Sequence, residues 1–146
     1  MAQASSAEQR PQSRAGPAPA RKRKVVAFDS SFLVAIMDRP TSWNEDITEK
    51  IGAFRPVILS SVRDELGRLA AKGDKTGGLA ALVIELLEQG KFSLEPDGRG
   101  KADDEIISFA LREGAAVATI DADLARRLRA SRVRTVITLR GGRVAV

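Results

Sequence analysis

Four acidic residues stand where predicted strands end or predicted helices begin. Asp29 closes the apolar run VVAFD and Asp121 closes AAVATID, whereas Glu65 and Asp103 lie near the starts of predicted helices. Positions of this kind collect at the carboxyl ends of parallel strands, where open α/β sheets bind their ligands. Each acid also stands three or four positions from apolar residues, which turns it towards the core side of its helix. The spacing therefore predicts four carboxylates along one rim.

Carboxylates brought together repel one another unless a cation lies between them, and the sequence places no single Lys or Arg to do so. Oxygen ligands without nitrogen or sulfur select Mg²⁺ or Mn²⁺, which activates a bound water and neutralises charge developing on a phosphate. The alternative for any one acid alone is a helix N-cap or a first-turn residue, and Ser61-x-x-Asp64 is an ordinary capping box. Four acids on one rim favour the metal.

The 146 residues contain neither cysteine nor histidine. Their absence excludes disulfides, thiolate nucleophiles, cysteine and histidine zinc sites and an imidazole general base. A phosphatase with an aspartyl nucleophile is disfavoured, because the position two after Asp29 is Ser31 rather than a second Asp. Aromatic residues are scarce, so base stacking is not supported and Trp43 is expected to pack a helix. The remaining chemistry rests on carboxylates and a metal.

The net charge of +5 belongs to the start of the chain, because residues 1–24 hold six basic residues against one acid and the rest of the chain balances. Residues 1–23 are rich in Ala, Ser, Gln and Pro and are predicted to form a disordered basic tail. Residues 24–146 are predicted to form a single domain. No run approaches the roughly 20 apolar residues that cross a bilayer, and the N-terminus lacks the apolar middle of a secretory signal. We therefore expect a cytoplasmic protein with no membrane contact.

Short apolar runs alternate with helical patterns after the tail. The predicted strands are VVAF, PVIL, KFSL, AAVAT, RTVITL and a last short one after Gly141-Gly142. The predicted helices lie near 30–37, 43–53, 61–71, 77–89, 102–113 and 122–130. GDKTGG at 73–78 lacks the spacing of a phosphate-binding loop and is expected to be a glycine-rich loop between helices. The alternation predicts an α/β fold with a mostly parallel sheet of about five strands and helices on both faces.

The four acidic segments, in this order, resemble the PIN nuclease family. The matching segments, within about residues 24 to 140, are VVAFDSSFLVAI, PVILSSVRDELGRL, GKADDEIISFA and AAVATIDADLARRLR. The resemblance implies a three-layer α/β/α fold and a metal-dependent endoribonuclease that hydrolyses RNA to leave a 5′-phosphate and a 3′-hydroxyl. ADDEI and ATIDADLARRLR are most similar to the archaeal and eukaryotic branch associated with pre-ribosomal RNA processing, and VapC-type toxins are the second choice.

Carried over position by position, the resemblance implies four catalytic and metal-binding residues, which are Asp29, Glu65, Asp103 and Asp121. Two motifs offer a second acid, so the second-choice metal ligands are Asp104 and Asp123. Thr119 matches the family's small hydroxyl residue near the metal. The implied cofactor is Mg²⁺ or Mn²⁺, since both accept the same oxygen ligands. Eukaryotic ribosomal members often carry additional metal-binding cysteines, which this chain lacks.

From Leu124 onward the chain holds seven arginines and no acid. This run predicts a basic flank beside the fourth acidic motif that contacts backbone phosphates, with Arg126, Arg127 and Arg129 as the RNA-binding candidates. The alternative is a solvated, charged helix face. The RKRK run at 21–24 is a second candidate for contacting RNA or a ribosomal surface, or else a flexible tail.

Three functions are compatible with these residues. The first is an endoribonuclease that acts on RNA, with ribosomal RNA processing as its expected role. The main alternative is a PIN-fold assembly factor that binds pre-ribosomal RNA or a partner protein and cuts slowly or not at all. The third is a toxin ribonuclease held off by an antitoxin. The resemblance also implies a homodimer, because PIN domains often pair.

Overall fold

The computed structural model describes residues 23–98 and 100–146. Within these ranges the elements are, in chain order, β1 (Lys24–Phe28), α1 (Ser30–Asp38), α2 (Trp43–Ile51), β2 (Phe54–Leu59), α3 (Ser60–Ala70), α4 (Lys75–Glu88), β3 (Ser93–Glu95), α5 (Ala102–Glu113), β4 (Ala116–Ala118), α6 (Ala122–Ala130), β5 (Val136–Arg140) and β6 (Arg143–Ala145). Apart from Arg23, the predicted disordered tail lies outside the described residues. The division of the chain into tail and domain therefore stays a prediction.

The six strands form one sheet in the order β3-β2-β1-β4-β5-β6. Strands β1 to β5 are parallel to one another, and β6 pairs antiparallel with β5. The connecting hairpin places Gly141 and Gly142 at φ angles of 59° and 79°, a region that glycine adopts readily. Because crossovers between parallel strands are right-handed, connections that run in both directions along the sheet place helices on both of its faces. The predicted α/β fold, with three layers and a mostly parallel sheet, is confirmed, and the short final strand makes six strands where about five were predicted.

The winding of the chain reverses at β1. The chain runs from β1 to β2 and β3 on one side and then returns to β4 on the other. Pairing of β1 with β4 ends at Phe28 and Ala118, and the N–H of Asp29 extends it by donating to the Ala118 carbonyl at 2.9 Å. Ligands of open α/β sheets bind at such a reversal, beyond the carboxyl ends of the strands.

An aromatic cluster fills the core beneath this reversal. The ring of Phe28 lies 5.6 Å from Phe32, 5.4 Å from Trp43 and 5.5 Å from Phe92, in each case edge to face. Trp43 and Phe92 stack at 5.8 Å. Pairs in these geometries add about 0.5–1.5 kcal/mol each beyond their buried area. The structure thus places Trp43 in the packing role that the sequence predicted.

The connection between α3 and α4 is shorter than the sequence predicted. Asp74 caps α4 by accepting the Gly77 N–H at 2.7 Å, so Lys75 to Gly78 belong to the first helical turn and not to a loop. A side chain at Gly77 would lie 2.5 Å from the carbonyl oxygen of Leu69. Glycine is therefore needed because the end of α3 and the start of α4 approach closely, and the GDKTGG loop prediction was wrong for its last four residues.

An ion pair fastens β6 to α2. Arg143 donates from Nε at 3.1 Å and from Nη2 at 3.2 Å to the two carboxylate oxygens of Asp46. The Asp46 side chain is buried, and hydrogen bonding from Arg143 is the main cause that lowers its pKa. Arg143 is therefore a structural partner of α2 and not a member of the predicted basic flank. Within the described ranges, no helix is both long and apolar enough to cross a membrane.

Candidate metal centre

Asp29 follows β1 directly and is only 4% exposed. Its Oδ2 accepts two hydrogen bonds, from Ser31 Oγ at 2.6 Å and from Thr119 Oγ1 at 2.8 Å. The carboxylate makes no capping bond to α1. The two hydroxyls fix the position of one oxygen, which leaves Oδ1 as the oxygen that a ligand can use.

Thr119 joins the ends of β1 and β4 through a fully buried hydroxyl. Besides donating to Asp29, this hydroxyl accepts the N–H of Asp121 at 3.0 Å. Ser31 Oγ lies 3.2 Å from it and accepts the N–H of Ile120 at 3.1 Å. Each hydroxyl has a single hydrogen, which it donates to the Asp29 carboxylate. Each therefore acts as an acceptor towards the backbone N–H group that contacts it. This network holds Asp29 in a single orientation.

Asp121 caps α6, with Oδ1 accepting the N–H groups of Asp123 at 2.9 Å and Leu124 at 3.1 Å. The capping alternative is therefore true of Asp121. Asp103 lies in the first turn of α5, which is the other alternative that the sequence offered, whereas Asp29 makes no capping bond. Capping occupies one oxygen of Asp121 and leaves the second, so it does not compete with ligand binding.

Glu65 and Asp103 face the same space from α3 and α5. Glu65 Oε1 accepts a hydrogen bond from Ser30 Oγ at 3.0 Å, which links α3 to the start of α1. Desolvation raises the pKa of Asp103 most, and repulsion from the carboxylates of Asp29, Asp121 and Glu65 raises it further. Arg127 opposes this rise only in part. The fold thus gathers all four predicted acids at one end of the sheet, which we call the carboxyl edge.

Across residues 23–98 and 100–146, no group of three acidic side chains is arranged, as it stands, to hold a metal ion. Repulsion between carboxylates acts over several ångströms, whereas Mg²⁺ binds oxygen at about 2.0–2.1 Å. The four acids share one electrostatic environment without forming a closed coordination shell. Glu65 and Asp103 are half-buried, so these two side chains retain room to rotate, whereas Asp121 is exposed but held by its capping bonds.

The second-choice acids are paired with arginines. Asp104 accepts a hydrogen bond from Arg127 Nη2 at 2.6 Å, and this bond is the main cause that raises the pKa of Arg127. Asp123 forms an ion pair with Arg126, three residues further along α6. Both acids are exposed. Two of the three arginines predicted to bind RNA are thus held beside the acids, and the third, Arg129, is exposed on the same helix.

Basic residues also line the space in front of the acids. Arg68 and Lys101 join Arg127 around a cavity of about 440 Å³ that includes Glu65 and Asp103. A neighbouring cavity of about 620 Å³ shares Arg68 and Lys101 and continues towards the start of α3. Together these cavities form an open groove that leads to the carboxyl edge, and its lining mixes these three basic side chains with Asp64, Asp97 and the acids of the carboxyl edge.

Sequence reasoning missed Ser30, Ser31, Arg68 and Lys101. The two serines follow Asp29 directly, and a signal existed in the pairing of an acid with adjacent hydroxyls. Arg68 stands three residues after Glu65 on one helix, a spacing that places both side chains on one face. Lys101 had no comparable signal, because its proximity to Arg68 depends on how α3 and α5 pack.

A family model described as a PIN like domain matches residues 26–142, which is most of the chain. The chain belongs to the PIN-like domain family. This PIN-like domain is similar to the solved structure of the PIN domain endonuclease Utp24, with a TM-score of 0.69 and 20% identity over 82% of this chain and 88% of that one. It is also similar to a domain of a functionally unknown protein from Methanocaldococcus jannaschii DSM 2661, with a TM-score of 0.58 and 18% identity over 84% and 96% of the two chains. No curated protein matches.

At these identities the solved structures establish the PIN fold alone. The matched range of the PIN-like domain contains all four acids and Thr119, whereas Arg23 and Lys24 lie before it. The resemblance inferred from the acidic segments is thereby confirmed at the level of family and fold. The VapC-type alternative stays a prediction, and so do the roles of the individual acids.

Proposed function

We propose that this PIN-like domain is an endoribonuclease that hydrolyses RNA with Mg²⁺ or Mn²⁺ held by Asp29, Glu65, Asp103 and Asp121. The observation that carries the proposal is the meeting of four carboxylates where the winding of the sheet reverses, with Asp103 repelled by the other three. Four negative charges in one place favour a cation. Similarity to a PIN domain endonuclease of the same fold supports this reading.

The donor set fits a hard divalent ion. Hydrogen bonds occupy one oxygen each of Asp29, Glu65 and Asp121, which leaves one further oxygen on each side chain. Oxygen donors without nitrogen or sulfur match Mg²⁺ and Mn²⁺. When bound, such an ion supplies an activated water and neutralises charge on the phosphate. Asp104 and Asp123 are the proposed outer acids, and each has one oxygen bonded to an arginine and a second oxygen left.

The remaining residues position the acids and the RNA. Thr119 and Ser31 hold Asp29, and the backbone of α6 holds Asp121, so these carboxylates need little reorganisation when a ligand arrives. Arg68, Lys101 and Arg127 line the groove and are suited to contact phosphates on either side of the bond that is cut. No aromatic residue lines this groove among the described residues, which favours backbone contacts over base recognition.

The finer assignment is to ribosomal RNA processing, and it rests on the resemblance of ADDEI and ATIDADLARRLR to that branch. An RNA-binding assembly factor is the second candidate. The groove is compatible with this candidate too, because Arg68, Lys101 and Arg127 can contact RNA whether or not a bond is cut. The toxin, antitoxin, homodimer and cytoplasmic assignments stay predictions.

The test is cleavage of end-labelled RNA with Mn²⁺, with Mg²⁺ and with chelator, comparing the wild type with Asp29→Asn. The amide keeps the shape of the side chain and an oxygen for Ser31 and Thr119, so the fold should persist. We expect metal-dependent cutting to fall by at least about 100-fold. Residues that only orient a metal ligand typically contribute about 10–100-fold.

Asp38→Asn is the matched control, because Asp38 lies at the other end of α1 and pairs with Lys75 in solvent. It should cut like the wild type. Cutting by Asp29→Asn at the wild-type rate would contradict the metal site. Absence of cutting by the wild type with every metal, while it still binds RNA, would support the assembly factor.

A further inference from the structure

The opposite end of the sheet, where the parallel strands begin, carries the amino-edge basic patch, which we define as Arg23, Lys24, Arg132 and Arg134. Arg23 and Lys24 lie at the start of β1, and the two arginines lie between α6 and β5. Lys24, Arg132 and Arg134 line one cavity of about 400 Å³, and Lys24 and Arg23 line a second of about 500 Å³. The four residues therefore form one surface.

The charge of this patch is not balanced by acids. All four residues are exposed, and none of them has a salt-bridge partner among the described residues. Glu113 is the one acid that lines either cavity within the described ranges, and it pairs with Arg112 at 3.4 Å. The carboxyl ends of α2, α5 and α6 contribute roughly half a negative charge each, which offsets only part of the four positive charges of the patch.

The backbone at Arg132 is a second, independent observation. Three helices end in the same turn, in which a residue with positive φ is followed by an N–H that donates to the carbonyl five residues back. Glycine occupies this position after α4 and α5, as Gly90 and Gly114, with φ angles of 82° and 65°. After α6 the position is Arg132, with a φ of 69°. Glycine would relieve the backbone there, so the arginine side chain is present despite a local penalty.

We propose that the amino-edge basic patch binds the phosphate backbone of RNA, as a contact separate from the carboxyl edge. Arginine guanidinium groups form paired hydrogen bonds to phosphate oxygens, and unneutralised positive charges release counterions from a polyanion. Neither cavity is lined by an aromatic residue among the described residues, so the contact reads charge and not sequence. In the sequence, Arg21 and Lys22 extend the same run of positive charge.

The patch engages a different part of the RNA from the part that is cut. Lys24 and Asp29 are five residues apart along an extended strand, which corresponds to about 17 Å at about 3.3 Å per residue. A phosphate at the patch therefore cannot be the phosphate at the acids. The patch should add affinity for long or folded RNA and none for an oligonucleotide that fills only the groove. This inference takes RNA from the proposed function, but it does not depend on cleavage.

The experiment measures RNA binding by two full-length proteins. The parent carries Asp29→Asn, and the patch variant carries Arg132→Gly and Arg134→Gln in addition. Glycine suits the backbone at position 132, so folding should be retained. We expect the affinity for a 20-nucleotide RNA to fall about three- to tenfold at low salt, and the salt dependence to lose about one unit of slope for each phosphate contact removed. Binding of a 4-nucleotide RNA should not change.

Lys72→Gln with Lys91→Gln is the charge-matched control, because both lysines are exposed and lie outside the patch and the groove. It should bind like the parent. Equal loss in this control, or unchanged affinity and slope in the patch variant, would overturn the proposal. Patch-dependent binding to phosphatidylserine vesicles without any effect on RNA would also overturn it. If the wild type never cuts RNA but the patch variant loses RNA binding, the patch proposal stands and the nuclease proposal fails.

Discussion

The carboxyl edge and the amino edge of one sheet differ in how firmly the fold holds their charged side chains. At the carboxyl edge, Asp29 is 4% exposed and is fixed by two hydroxyls, one of them the fully buried Thr119. At the amino edge, Arg132 and Arg134 stand in solvent. Parallel strands lead into helix starts, whose free N–H groups can hold a carboxylate as they hold Asp121, and they begin after helix ends, which offer no such donors. The carboxyl edge is therefore suited to holding a ligand in a fixed geometry, and the amino edge to attracting a charged ligand without one.

The sharpest test of this contrast is Asp103→Asn. Desolvation and three neighbouring carboxylates raise the pKa of Asp103 above its ordinary value of 3.8. The folded, metal-free protein therefore keeps a proton that the unfolded chain has released, and the free energy of unfolding falls as pH rises through this window and stays lower above it. The side chain of the Asp103→Asn variant is neutral at every pH, so that protein does not lose this part of its free energy of unfolding. At neutral pH in chelator the variant should be more stable, by at most about 1 kcal/mol because solvent screens the interaction.

Adding Mn²⁺ should reverse this order, because the wild type gains stability from binding an ion that the variant holds poorly. Thermal melts at pH 7 with chelator and with Mn²⁺ measure both effects, and cleavage should fall at least about 100-fold, beyond the loss expected of residues behind the ligands. Equal melting of the two proteins under both conditions would mean that Asp103 does not face the other acids. The amino-edge variants should show no such response to metal.

Thr119→Val should have the next largest effect. Valine has a similar shape, but it removes the donor to Asp29 and the acceptor for the Asp121 N–H. Residues that orient a metal ligand typically contribute about 10–100-fold to activity or metal affinity, and cleavage should fall within that range. Higher Mn²⁺ concentrations should restore part of the rate.

Thr138→Val on β5 serves as the matched control, because the same change is made outside the hydroxyl network. Cleavage rates at several Mn²⁺ concentrations, with a melting curve for each protein, separate lost positioning from lost folding. A Thr119→Val protein that cuts at the wild-type rate would show that the carboxyl edge does not depend on a rigid Asp29.

Arg143→Ala should have the smallest effect, because it removes a positive charge that pairs with Asp46 and lines neither the groove nor the cavities of the amino-edge basic patch. Hydrogen bonding from Arg143 lowers the pKa of Asp46 below 3.8, so this pair stabilises the fold above the unfolded pKa and is lost as pH falls through the folded value. The melting temperature should fall by roughly 1–3 °C at pH 7, and the difference should shrink below pH of about 4. RNA binding and cleavage should stay unchanged, whereas a loss of binding would place Arg143 in the RNA surface.

Much of the fold was predictable from local patterns. The bounds of α5 and α6 agree with the prediction because each helix begins beside acids and ends where a left-handed turn is needed. The acids themselves were found because strand ends and helix starts are local features. The start of α4 was predicted two residues late because two adjacent glycines resemble a loop, and the close approach of α3 explains why position 77 inside the helix is glycine.

Proximity between distant segments was not predictable in the same way. Seven arginines after Leu124 were expected to flank the acids, but α6 carries the chain from one edge of the sheet to the other. Arg126 and Arg127 stay with the acids, whereas Arg132 and Arg134 reach the opposite edge. The hydrogen bond from Ser30 to Glu65 spans 35 residues and depends on the packing of α1 against α3. To predict such contacts, one must know how each helix and strand is oriented in the fold, which the composition of a segment does not give.

The directions of the helices also set the charge balance at the carboxyl edge. Four helices, α1, α3, α5 and α6, start there, and each amino end carries roughly half a positive charge. Together they offset roughly two of the four negative charges of the acids. The amino ends of these helices thereby lower the electrostatic cost of holding four carboxylates close together before any ligand binds.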